Sequence, residues 1–196
     1  MARDVRLTRE QLVRLGLALP LPALLAAGAS PALAATPACD DGDETPDQTE
    51  GPFYTPRSPR RRSLLGAGVS GTTLVLAGRV LGTDCRPLAR ALLDFWQCDA
   101  RGVYDNVGYR LRGHQLTDAQ GRWRLTTVVP GIYPGRTRHI HVKARRPGGE
   151  VLTTQLYFPG ERQNRVDGIF VPELLVRRLR RSPGRWTAQF DFVLAA

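Results

Sequence analysis

Between residues 73 and 194 the chain is built of short β-branched and aromatic runs, each closed by a Gly, Pro or Asp turn such as TDAQG or RRPGG. That punctuation leaves room for strands and little else. The runs fall at 73–81, 89–98, 122–129, 138–146, 151–158 and 187–194. LTTQLYF and AQFDFVL alternate cleanly, the period of a strand with one buried face. Only 172–181 carries a helical pattern, with Pro172 at its start and Leu174, Leu175 and Leu179 along one stripe. No internal repeat is visible. The expected fold is all-β, a β-sandwich with one short helix near the C-terminus.

The first 34 residues have a different character. Arg3, Arg6, Arg9 and Arg14 precede an apolar stretch at 15–27, and Ala32-Leu33-Ala34 has the small residues of a cleavage site. This is the plan of a secretory signal, so export is expected. The apolar stretch is too short, and too interrupted by Pro20 and Pro22, for a membrane span. The expected organisation is a signal at 1–34, an extended leader and TEGPFY loop at 35–72, and the sandwich at 73–196, with the leader packed on it. Losing the signal removes four arginines and two acids, Asp4 and Glu10, so the net charge falls from +10 to +8. The remaining arginines are spread along the chain with no nucleic-acid motif among them, which reads as a solvated face rather than a nucleic-acid partner. Of three cysteines, Cys39 near the new N-terminus and Cys85 in a turn are the favoured disulfide; Cys98, in LLDFWQC, reads as a small buried residue.

The chemistry gathers in PGIYPGRTRHIH. On a strand His139 and His141 share a face, while Ile140, Val142 and Ala144 form the opposite, apolar one. Two same-face imidazoles can hold one ion, and the Pro-Gly turn before them can swing Tyr133 back toward it. Tyr104, in RGVYDN, supplies a second phenol, with Tyr109 as its rival. A free phenol ionises only near pH ~10, so two phenolate ligands demand a strongly Lewis-acidic ion. Zinc prefers Cys, His and carboxylate, and Fe(II) oxygenases use two histidines and a carboxylate. Two imidazoles and two phenolates therefore argue for Fe(III). Two rival readings are a secreted β-sandwich binding module without metal and a Zn or Cu enzyme using His-x-His.

TEGPFY, GRVL, DFWQCDARGVYDN, TDAQGRWRLTTVVPGIYPGRTRHIH and LTTQLYFPGE together resemble the intradiol ring-cleavage dioxygenases, the catechol and protocatechuate dioxygenase group. The resemblance implies a mononuclear non-haem Fe(III) centre on a β-sandwich. It also implies a catecholic substrate and O2, with cleavage between the two hydroxyl-bearing carbons to a cis,cis-muconate-type dicarboxylate. Matched residue by residue, Tyr104, Tyr133, His139 and His141 are the metal ligands, and Tyr133 is the one that leaves when substrate chelates. Arg136 stabilises charge on the substrate ring, Gln155 positions Arg136, and Tyr54 lines the pocket. Tyr157 shares the strand face of Gln155 and joins the pocket candidates. His114 is expected at the pocket rim or in a structural role. The better-known members carry a helical N-terminal dimerisation region that has no counterpart here, which leaves homo-oligomer formation open. They are also intracellular, against the export expected for this chain.

Overall fold

The structure is a computed structural model, and it describes Cys39 and residues 43–195. The signal expected at 1–34 and most of the early leader lie outside the described residues.

Among the described residues nine strands follow one another: β1 (Thr73–Gly82), β2 (Leu92–Trp96), β3 (Arg112–Leu116), β4 (Arg122–Val128), β5 (His139–Arg145), β6 (Leu152–Tyr157), β7 (Arg177–Ser182), β8 (Arg185–Gln189) and β9 (Phe192–Leu194). They form two sheets. One has the order β4-β1-β8-β7 with β9 also pairing β1; the other runs β3-β2-β5-β6. Pairing is antiparallel except where β8 and β9 run parallel to β1. The alternation dictates what lies between the sheets. Leu74, Leu76, Trp123 and Leu125 from one sheet meet Leu93, Phe95, Ile140, Val142 and Leu156 from the other, all buried in one core. The Phe95 and Trp123 rings face each other across it at 5.4 Å. At about 1.5–3 kcal/mol per fully buried large apolar side chain, this layer supplies the main drive for folding. The expected β-sandwich is what forms.

The helix expected over 172–181 is not there. Pro172–Leu174 makes a single 3-10 turn, and Arg177–Ser182 is strand β7. Pairing outweighs the leucine stripe: Val176 donates its N–H to the Tyr157 carbonyl, and Arg177–Ser182 then pairs with β8 through a bulge between Arg177 and Arg180. The run at 187–194 is also two strands rather than one. The chain breaks where the Phe190 carbonyl passes over Gly78, so closely that a Cβ there would lie 1.7 Å from that oxygen. Asp191 then accepts from the Arg79 N–H at 2.7 Å, and the chain resumes as β9 beside the far end of β1.

The leader is packed although it has no regular structure. Thr45 exchanges hydrogen bonds with Val193, Gln48 N–H donates to the Thr153 carbonyl at 2.7 Å, and Thr154 Oγ1 donates to the Pro46 carbonyl at 2.7 Å. Cys39 is joined to Cys85, closing this segment onto the turn after β1, while Cys98 is buried and free.

Candidate metal centre

Register places the site. On β5 the even-numbered side chains Ile140, Val142 and Ala144 enter the core, so His139 and His141 occupy the outer face of the four-stranded sheet. Arg112, Trp96, His141 and Gln155 lie in one row across β3, β2, β5 and β6, with Tyr157 beside His139. This outer face is not open to solvent: both imidazoles are only 3% exposed, because the leader and the loops cover them.

Two turns bring the tyrosines in. Asp99 Oδ1 accepts the N–H groups of Arg101 and Val103, winding DARGVY into a tight turn, and its carbonyl accepts from Gly131. Gly102, at φ +87°, lies so near the Ile132 carbonyl that a Cβ would approach to 2.3 Å. The loops bearing Tyr104 and Tyr133 are thus clamped face to face, and their rings meet edge-on at 6.0 Å. Downstream, Tyr133-Pro134-Gly135-Arg136 closes with the Arg136 N–H on the Tyr133 carbonyl at 3.0 Å, Gly135 taking φ +78°. Pro at the second position and Gly at the third suit a type II turn.

Three donor atoms converge. Tyr104 Oη lies 3.2 Å from His139 Nε2, and the Nε2 atoms of His139 and His141 lie 3.1 Å apart. Separations of 3.1–3.2 Å are what donors about 2.0–2.2 Å from a common ion subtend at angles near 90–110°. His139 is held for this task. Its Nδ1 lies 2.6 Å from the Thr137 carbonyl, so the proton belongs on Nδ1 and the Nε2 lone pair faces the cluster. His141 Nδ1 is buried without a hydrogen-bond partner among the described residues, and its ring stacks on Trp96 at 4.7 Å, 8° from parallel. Burial pushes the His139 imidazole down to about 4, the Thr137 carbonyl resisting. Burial, with the neighbouring His139, also drives His141 well below the ordinary imidazole value. Both are neutral at pH 7. Burial raises the Tyr104 phenol, so in this dry setting a positive ion is needed to take its proton. Two neutral imidazoles and a buried phenol needing a strong Lewis acid fit a ferric ion. Tyr133, half-buried on its loop, has its ring near those of Tyr104 and Phe53. The described residues contain no cluster of three or more His, Cys, Asp and Glu side chains fit for a metal.

Arg136 is held on three sides. Its Nε donates to Asp167 Oδ2 at 2.9 Å, and one terminal nitrogen donates to Gln155 Oε1 at 2.6 Å and reaches the Tyr157 hydroxyl at 3.4 Å. Gln155 is in turn fixed by donating to the Thr49 carbonyl at 3.0 Å, and Tyr157 donates to Gln48 Oε1 at 2.9 Å. The leader thereby braces the arginine. Burial would raise the Asp167 carboxyl, but the N–H groups of Thr137 and Ile169 and the Arg136 guanidinium outweigh it and hold the pKa below the usual value. Burial also pushes the Tyr157 phenol up to about 12, keeping it a neutral hydrogen-bonding group.

Tyr54 packs in the aromatic cluster of Trp96 and Tyr104, and Tyr109 and His114 find other partners. Tyr54 packs on Trp96 at 4.8 Å, but its hydroxyl donates to Asp94 Oδ2 at 3.2 Å. Burial and then Asp94 raise that phenol to about 12. Tyr109 donates to the Pro56 carbonyl at 3.0 Å from an exposed position, outside the donor cluster. His114 is bridged to Asp94 through Ser58. Sequence reading missed Phe53, stacked on Tyr104 at 4.4 Å, and Trp96 and Asp167. Trp96 could have been found only once the β2–β5 register was known.

A family model described as Dioxygenase matches residues 49–195. The chain belongs to the intradiol ring-cleavage dioxygenases. Among relatives of this dioxygenase family, a 6-chlorohydroxyquinol 1,2-dioxygenase from Cupriavidus pinatubonensis is 30% identical over 172 residues, covering 74% of this chain and 62% of its own. Among solved structures, the dioxygenase domain of a dioxygenase–carbohydrate-binding protein fusion from Streptomyces sp. SirexAA-E is 53% identical with a TM-score of 0.76, covering 79% of this chain and 99% of its own. The 3-chlorocatechol 1,2-dioxygenase of Rhodococcus opacus 1CP is 29% identical with a TM-score of 0.70, covering 81% of this chain and 75% of its own. The chain spans 52–66% of the length of the first curated relatives it matches.

Proposed function

We propose that this chain is a mononuclear non-haem Fe(III) intradiol dioxygenase. It cleaves a catecholic ring between the two hydroxyl-bearing carbons and incorporates both atoms of O2 to give a cis,cis-muconate-type dicarboxylate. The observation that carries this reading is the convergence of Tyr104 Oη, His139 Nε2 and His141 Nε2 at 3.1–3.2 Å, with Tyr133 on the adjoining loop. Tyr104, Tyr133, His139 and His141 would hold the ion, which when bound supplies Lewis acidity and a template for two adjacent phenolic oxygens. Tyr133 is the ligand best placed to give way, being on a loop and less buried than Tyr104. Tyr133 Oη would be the base that takes one proton from a substrate diol. Arg136, fixed by Gln155, Tyr157 and Asp167, sets a positive charge beside the imidazoles, where negative charge develops on the ring. The named substrates of the relatives, 6-chlorohydroxyquinol and 3-chlorocatechol, put hydroxyl- and chlorine-substituted catechols in the same class as catechol itself.

Export belongs to the same proposal. The Cys39–Cys85 disulfide supports an oxidising compartment, and N-terminal sequencing of protein recovered outside the cytoplasm should begin near residue 35. The catalytic test is oxygen uptake over catechol, hydroxyquinol, protocatechuate and chlorocatechols, with product analysis. A ring-opened dicarboxylate is expected. Full iron loading without oxygen uptake on any of them would refute the reading. Arg136→Ala should retain iron and lose most turnover.

A further inference from the structure

The candidate metal centre occupies the outer face of one sheet; the outer face of the other is strongly basic. Cross-strand register defines it residue by residue. One row runs Arg124, Ala77, Gln189, Arg177 across β4, β1, β8 and β7; the next runs Thr126, Val75, Thr187, Arg180; the third runs Val128, Thr73, Arg185, Ser182. Arg122 and Arg79 pair at the end of β1 and β4. The opposite side chains of these strands, Leu74, Leu76, Trp123, Leu125 and Ala188, fill the core, so the arginines all project from the other face. Arg122 is ion-paired with Asp118. Arg79, Arg124, Arg177, Arg180 and Arg185 have no ion-pair partner among the described residues. With strands about 4.8 Å apart, Arg124 and Arg177 stand roughly 14 Å from each other across the sheet.

We propose that this face docks the protein onto an acidic polysaccharide, a polymer with a carboxylate on successive sugars. Guanidinium groups pair with carboxylates bidentately, and the array offers five of them with their charge unspent. Between them lie Thr73, Thr126, Thr187 and Gln189, which can exchange hydrogen bonds with sugar hydroxyls. None of the exposed large apolar side chains of the described residues lies on this face. It therefore lacks the aromatic platforms on which single-stranded bases stack and the apolar residues that enter a bilayer. Docking by this face would leave the opposite sheet, with its imidazoles, turned away from the polymer.

The test uses the full iron-loaded chain with polygalacturonate, measured by titration calorimetry at low and physiological salt. Methyl-esterified polygalacturonate, duplex DNA and phosphatidylserine vesicles are the comparison ligands. The R124Q/R180Q/R185Q variant is set against R57Q/R60Q/R90Q, which removes the same charge elsewhere. The expected result is salt-sensitive binding to polygalacturonate, absent with the methyl ester. It should weaken roughly tenfold or more in the sheet-face variant and much less in the control, with iron content unchanged in both. No binding, equal weakening in the two variants, or tighter binding to DNA or vesicles would overturn the proposal.

Discussion

Asp167→Asn isolates the ion pair that holds Arg136. In the native protein the Asp167 side chain is 2% exposed and that of Arg136 18%, with Nε and Oδ2 2.9 Å apart. Removing one partner of a buried pair costs about 3–5 kcal/mol, because the other charge stays buried and uncompensated. Here the loss is smaller. Arg136 keeps Gln155 Oε1 and the Tyr157 hydroxyl, and an asparagine oxygen can retain one of the N–H groups of Thr137 and Ile169. About 2–3 kcal/mol is expected, seen as a fall in Tm of roughly 5–10 °C for a domain of this size. A double-mutant cycle with Arg136→Gln should give a coupling of at least about 1 kcal/mol. The pH dependence carries a sign. The folded Asp167 pKa lies below its unfolded value, so its contribution is present above the ordinary carboxylate pKa and is lost as pH falls through the folded one. The stability gap between wild type and Asp167→Asn should therefore close as pH falls below the ordinary carboxylate range. A gap independent of pH, or a coupling under about 0.5 kcal/mol, would show that Asp167 supports the loop sterically and not through charge.

Cys85→Ser opens a loop of 46 residues, and chain entropy sets the loss at about 4 kcal/mol, measurable as a shift in urea midpoint. It should also raise hydrogen exchange at Thr45 and Gln48, which the leader holds against Val193 and Thr153. Phe53→Ala removes the ring stacked on Tyr104 and should lower iron retention on dialysis while costing about 3 kcal/mol of stability; unchanged retention would detach Phe53 from the site. Gln155→Leu strips an acceptor from Arg136 and a donor from the Thr49 carbonyl, and should lower kcat without releasing iron.

Local pattern reached a long way into this chain. The alternation in LTTQLYF and HIHVKA determines which side chains face the core, so both histidines belong on the far face by pattern alone. Tyr104 and Arg136 are marked by motif resemblance and not by periodicity. What escaped depends on pairing between distant segments. RRLRRS carries no strand signal of its own and becomes one only through Tyr157 and β8. RGHQL, short and glycine-containing, forms β3 because β2 offers it an edge. Asp167 lies 31 positions beyond Arg136 in a loop of unremarkable composition, and nothing local marks it as a partner. The leader closes over the histidine face through Gln48, Thr49 and Gly51, the last leaving room for His141 Cε1 at 3.5 Å from where a Cβ would sit.

On the proposed reading, two phenols and two imidazoles would hold one ferric ion. Metal analysis and visible absorption of protein expressed with added iron, alongside Tyr104→Phe, test it most directly. One iron per chain is expected, with the red-brown colour of phenolate-to-Fe(III) charge transfer, and both should be lost or strongly reduced in Tyr104→Phe. A colourless wild type that holds no iron, or one that holds zinc or copper in its place, would contradict the account.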